Sequence, residues 1–181
     1  MIRRRGKVEK RTCTHSLAVK TSYVLPPDTN TYGTLFGGKL MAYMDDVAAI
    51  AASRHARMPV VTASTDSVDF LAPVKEGHSI CVEAFVTWTH NTSMEVFVKA
   101  VTEDLRTGQR QVCSTAFLTF VAIDETGKPK PVPSVVPESE HEQKLHASAA
   151  DRAKHRKERR KQAKEFAEIF GTDYPWNRTR N

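Results

Sequence analysis

An α+β domain, in which one antiparallel sheet wraps a single long helix, is what this sequence predicts. Three observations lead there. Apolar residues recur at helical spacing after Gly38, the hydrophobic period changes to two from Val60 onward, and the period-two runs are joined by short polar turns. Such consecutive strands pair antiparallel, and one helix against one sheet gives a two-layer core. A strand edge and a face stay uncovered, so pairing with a second copy is expected.

The elements follow in order. A basic segment, 1–13, carries Arg3, Arg4 and Arg5 with no apolar stretch behind it. A first strand from Ser16 to Val24 ends at Pro26 and Pro27, which cannot continue a ladder. Leu40, Met41, Met44, Val47, Ala48 and Ala51 then mark a helix that runs to Ala56 and is stopped by Pro59. Val68 and Phe70 alternate with Ser67 and Asp69 in the next strand. Ile80, Val82, Ala84, Val86 and Trp88 give the inward face of another, Met94, Val96, Val98 and Ala100 of a third, and Val112, Ser114, Ala116, Leu118 and Phe120 of a fourth. "GKPKPVPSVVP" is too rich in proline for helix or sheet interior and reads as a surface strap. The domain is accordingly placed at 14–137, and 138–181 is a charged helical extension.

Composition narrows the functional classes. Three widely spaced cysteines, Cys13, Cys81 and Cys113, form neither a disulfide framework nor a metal-ligand pattern, so a reducing cytoplasm is expected. No apolar run approaches the length needed to cross a bilayer, and a soluble protein is expected. The net charge of +6 lies in one short segment, where eight Lys and Arg between Asp151 and Lys164 face only Asp151 and Glu158. A solvated charged helix is the preferred reading of that run, and a polyanion contact the alternative.

Asp45 and Asp46 are the anomaly in an otherwise apolar helix, because burying a carboxylate is costly unless it is paired. Successive helical residues point about 100° apart, so the two cannot share one environment. Asp46 is expected to face solvent or Arg54 and Arg57. Asp45 lies seven residues after Gly38, about 10 Å along the axis on nearly the same face. The first amides of the helix have no internal partner, and the Gly37–Gly38 pair lets a ligand approach them, which suits an oxyanion. An acid or base and an oxyanion hole must both lie within about 3 Å of the atoms they serve, so cooperation between them requires two subunits.

The segments "DTNTYGTLFGGKLMAYMDDVAAIAASRHA", "SVDFLAPVKEGH" and "NTSMEVFVKA" resemble the hot dog-fold acyl-CoA thioesterases, the cytosolic acyl-CoA hydrolase branch in particular. The resemblance runs from about Ser16 to Pro137. It implies a helix wrapped by an antiparallel sheet, a continuous sheet through two units, and a hexamer built as a trimer of dimers. The family's catalytic asparagine and aspartate stand fifteen positions apart, an interval that falls on Asn30 and Asp45. Asp45 would be the general base for a water, or alternatively a nucleophile, with Asn30 orienting water or substrate across the interface. The resemblance also implies an oxyanion hole at Gly37 or Gly38 and contact with the CoA arm at Asn91, Thr92 and Ser93. Phe36, Met41, Met44 and Phe70 are acyl-pocket candidates. No metal or cofactor is implied, CoA being part of the substrate, since a thiolate leaves without prior protonation.

Two rival functions compete with this one. A non-catalytic acyl-CoA sensor with a nucleic-acid-contacting tail lacks a helix-turn-helix pattern and leaves Asn30 and Asp45 without a use. A hot dog dehydratase would want a histidine opposite the acid, and none stands between Asn30 and Ala52.

Overall fold

A computed structural model describes residues 9–172. Arg3, Arg4 and Arg5 of the expected basic segment lie outside the described residues. The elements are β1 (Lys10–Thr12), α1 (Cys13–Ser16), β2 (Ala18–Tyr23), α2 (Gly37–Ala56), β3 (Val60–Phe70), β4 (Ser79–Thr89), β5 (Ser93–Glu103), β6 (Arg110–Ala122), β7 (Ser134–Val136), α3 (Glu140–Ala147) and α4 (Ala149–Phe170). Five strands form one antiparallel sheet in the order β2-β4-β5-β6-β3, with β2 and β3 at its edges. β1 and β7 form a separate parallel pair, so the strap returns to the N-terminal segment.

Helix α2 lies on the inner face of the sheet. Leu40, Met44, Val47, Ala48, Ala51 and Ala52 are buried along one stripe, and the small alanines let the helix sit close to the strands. Opposite them stand Ile80, Val82, Ala84 and Val86 of β4, Met94, Val96, Val98 and Ala100 of β5, and Ala116, Leu118 and Phe120 of β6, all buried. The helix ends with Arg57 in the left-handed region, φ 55°, two residues before Pro59. The Arg11 and Arg54 guanidiniums donate to the backbone carbonyls of His55 and Leu17, tying the last turn to the N-terminal segment.

The structure corrects two expectations. Trp88 does not continue the inward alternation of β4, because a bulge between Val86 and Trp88 shifts the period and buries Thr87 instead. At that irregularity the Val86 N–H donates to the buried Ser16 hydroxyl, 2.8 Å. Val112 is exposed, beyond a second irregularity opposite Ala100 and Val101. Asp46 faces solvent, as expected, and pairs there with Lys20 on β2, 3.0 Å away.

The charged extension is helical, and its arginines are not simply solvated. On the outer face of the sheet Arg152 donates to the fully buried carboxylate of Glu95, and the guanidinium of Arg156, itself buried, reaches Glu95 and Asp66. Arg159 adds bonds to Asp66 and to the Ser64 hydroxyl. The Arg152 guanidinium also covers the Phe117 ring at 4.0 Å.

His55 is fully buried, its Nε2 donating to the Pro133 carbonyl at 3.0 Å while Nδ1 has no partner among the described residues. Burial holds its pKa below the ordinary histidine value. The folded state therefore favours the neutral ring, and its contribution to stability is complete above about pH 6.5 and is lost as the pH falls below that. A melting temperature that declines from pH 7.5 to pH 5.5, with a smaller decline in His55→Gln, is the expected result. Equal slopes for both proteins would contradict it.

Candidate active site

Asn30 sits in a turn that its own side chain organises. Its Oδ1 accepts from the Tyr32 N–H at 2.9 Å and the Thr34 N–H at 3.3 Å, and its Nδ2 donates to the Thr34 hydroxyl at 2.9 Å. Gly33 closes this turn at φ 68°, a conformation that favours glycine. One Nδ2 hydrogen of the half-buried amide remains for a ligand.

The start of α2 follows directly. Phe36 occupies the N-cap position without a side-chain cap bond, and its carbonyl accepts from the Lys39 and Leu40 amides. The Gly37 and Gly38 amides have no partner among the described residues, as the helix geometry requires of its first donors. A Cβ at Gly38 would stand 2.6 Å from the Phe36 ring and one at Gly37 would stand 3.5 Å from the Phe70 ring. Gly38 thus lets the exposed Phe36 ring close over the helix start, whereas a side chain at Gly37 would meet the Phe70 ring at an ordinary contact distance.

Asp45 lies two turns on, half-buried. Its Oδ1 accepts from the Thr62 hydroxyl of β3 at 3.0 Å. Gly38, Met41, Met44, Asp45, Thr62 and Val68 line a recess of about 420 Å³. Met41 and Met44 therefore share the aspartate's surroundings, although Met44 is also a core residue at 1 % exposure. Phe70 does not line this recess; with Gly37 and Leu40 it borders a neighbouring one of about 350 Å³. Phe36 lines neither.

The Asn91, Thr92, Ser93 turn joins β4 to β5. The Asn91 and Thr92 carbonyls accept from Val132 and Ala122, fixing the turn against the strap and the end of β6. Met94, next to this turn, shares a rung with Phe120, and Phe120 shares one with Thr62. That places the turn about two strand spacings, roughly 10 Å, from the Asp45–Thr62 pair. No hydrogen bond joins Asn30 to Asp45 among the described residues.

Thr62 is the residue of this candidate site that sequence reasoning missed. The alternation expected from Val60 onward is carried only by Ser67 to Phe70; "VVTAST" before it does not alternate, β3 being an edge strand with irregularities after Thr62 and Thr65. The signal available was its place at the start of the strand after the helix that carries Asp45.

The thioesterase superfamily model matches residues 32–109. A Bacillus subtilis protein named "Uncharacterized acyl-CoA thioester hydrolase YkhA" is 55% identical over 168 residues, which is 93% of this chain and 98% of that protein. The chain belongs to the acyl-CoA thioester hydrolases. A solved acyl-CoA hydrolase from Staphylococcus aureus, in complex with butyryl-CoA, CoA and CoA disulfide, is 42% identical, covers 90% of this chain and 99% of its own, and superposes with a TM-score of 0.85. An apo-hexameric acyl-CoA thioesterase is 48% identical, with 84% and 97% coverage and a TM-score of 0.82. The Staphylococcus aureus hydrolase has also been solved as three separate alanine mutants, of an asparagine, of an aspartate fifteen positions later and of a threonine seventeen beyond that. This hydrolase therefore has the hot dog fold that the sequence suggested.

Proposed function

We propose that this hydrolase cleaves acyl-CoA to a free carboxylic acid and CoA at a site shared between two subunits, with Asp45 activating the attacking water. The observation that carries this reading is Asp45 itself. A half-buried carboxylate, held by Thr62 in a recess with apolar walls, is well placed to take a proton beside an acyl chain. The same two intervals, fifteen and seventeen, separate Asn30, Asp45 and Thr62 here.

The geometry supports a division of labour. Water adds to the thioester carbonyl as Asp45 takes its proton, and the resulting oxyanion lies against the free amides at the start of α2. The intermediate collapses by breaking the C–S bond, releasing CoA as thiolate, and the proton on Asp45 passes to solvent. Asn30, locked in its turn, offers its remaining Nδ2 hydrogen to the water or the carbonyl. About 10 Å separates Asp45 from the helix start of its own chain. Asn30 and Gly38 of one subunit therefore serve Asp45 and Thr62 of the other, joined through the exposed β3 edge. Asn91, Thr92 and Ser93 receive the pantetheine arm, and Met41 and Met44 contact the acyl chain. Three unpaired cysteines agree with a cytoplasmic protein, and a hexamer agrees with the relatives' assembly.

Thiol release from short, medium and long acyl-CoAs is the direct assay. Thr62→Val, which removes the bond to Asp45 at nearly constant volume, is expected to lower kcat about tenfold to a hundredfold with KM little changed. Unaltered kcat would remove Thr62 from the mechanism, and the absence of hydrolysis by the wild type despite binding would favour a sensor.

A further inference from the structure

Helix α4 takes a particular path. Arg152 bonds Glu95 on β5, Arg156 reaches both Glu95 and Asp66, and Arg159 bonds Asp66, Ser64 and the Thr65 carbonyl on β3. Because β6 lies between β5 and β3, these contacts record a helix that crosses the outer face toward the β3 edge. Beyond Arg159 the helix continues to Phe170, and every residue of that stretch is exposed. At 1.5 Å per residue the overhang is about 16 Å long.

The chemistry of the sheet-facing stripe changes where the sheet ends. Arg152, Arg156 and Arg159 recur at helical spacing, and the same stripe continues as Ala163, Phe166 and Ala167. Phe166 is 58% exposed and the nearby Ile169 is 75% exposed. An arginine stripe that matches the chain's own acids thus becomes an apolar stripe with nothing of its own sheet beneath it. Charge is divided in the same way. Residues 149–160 hold six Lys and Arg against two acids, 161–164 add Lys161 and Lys164, and 165–170 hold only Glu165 and Glu168, of which Glu165 also reaches Lys161 of its own helix at 3.9 Å.

We propose that the overhanging half of α4 is a dimerisation arm, lying on the outer face of a second copy's sheet and antiparallel to that copy's α4. The proposal rests on the reading that two protomers join through β3. Strands continue across such a seam at about 4.8 Å intervals, so the overhang extends over roughly three strands of the partner. A two-fold axis at the seam makes the two α4 helices antiparallel neighbours, since each contributes the same surface. That arrangement brings Glu165 and Glu168 of one helix beside the lysines and arginines that begin the other. It also covers Phe166 and Ile169, which an isolated chain leaves in water.

The test uses the full chain with Phe166 replaced by p-benzoyl-phenylalanine, mixed as ¹⁵N-labelled and unlabelled protein, irradiated and mapped by mass spectrometry. Cross-links between labelled and unlabelled chains that fall on β3, β6 or α4 are the expected result. Cross-links confined to one chain, in a protein that sediments as a dimer or hexamer, would overturn the arm while leaving the shared site intact. A protein that sediments as a monomer would overturn the arm and the shared site together. In parallel, Phe166→Ser/Ile169→Ser is expected to raise the concentration for half-dissociation at least tenfold in sedimentation velocity, and an unchanged value would count against the arm.

Discussion

Asp45→Ala leaves a folded, assembled protein whose kcat for acyl-CoA hydrolysis has fallen by about 10²- to 10⁴-fold, the range over which a positioned general base contributes. Assembly survives because the carboxylate is half-buried and its one hydrogen bond among the described residues comes from the Thr62 hydroxyl. Losing a single acceptor beside an open recess costs far less than emptying a core position. Asp45→Asn, which keeps the shape and loses the basicity, is expected to fall nearly as far. Initial rates of thiol release, with sedimentation of each variant alongside, check both points. A loss below about tenfold would show that water is activated elsewhere.

Glu95→Ala is expected to cost about 3–5 kcal/mol of stability, because removing one member of a buried ion cluster strands the others. The Glu95 side chain is fully buried and accepts from Arg152, Arg156 and the Thr87 hydroxyl. Its loss leaves Arg152 without an acid, and Arg156, at 9% side-chain exposure, with Asp66 alone. For a chain of this size each kcal/mol moves the melting temperature by about 2–4 °C, so a fall near 10 °C should be seen by calorimetry. Replacing the set together, as Glu95→Leu with Arg152→Leu and Arg156→Met, should recover most of that loss, since apolar residues of similar volume carry no desolvation penalty. A Glu95→Ala protein that melts with the wild type would show that α4 is held by other means.

What the sequence reveals here depends on how local the cause is. The helix from Gly37 to Ala56 and the inner faces of β4, β5 and β6 are legible because each is a periodic pattern within one element. Asn30, Gly37, Gly38 and Asp45 stand out as candidates because they fall in one short stretch. Arg152 and Arg156 do not, since their partners Glu95 and Asp66 stand 57 and 90 positions away and only the fold brings them together. A run of basic residues then looks like a solvated helix. Trp88 departs from its strand's alternation for a related reason: the bulge that shifts it is completed by Ser16, which bonds Val86 from seventy residues earlier. Thr62 shows the same limit at an edge strand, where irregular pairing leaves no alternation to read.

Subunit mixing tests the shared site most directly. Asn30→Ala and Asp45→Ala proteins, each nearly inactive alone, are unfolded together and refolded as a mixture. If Asn30 and Asp45 serve one site from different subunits, each mixed dimer contains one site with both residues intact. Random pairing then restores about a quarter of wild-type activity. If both residues of a site came from one chain, every site would lack one of them, and a mixture no more active than its components would contradict the account.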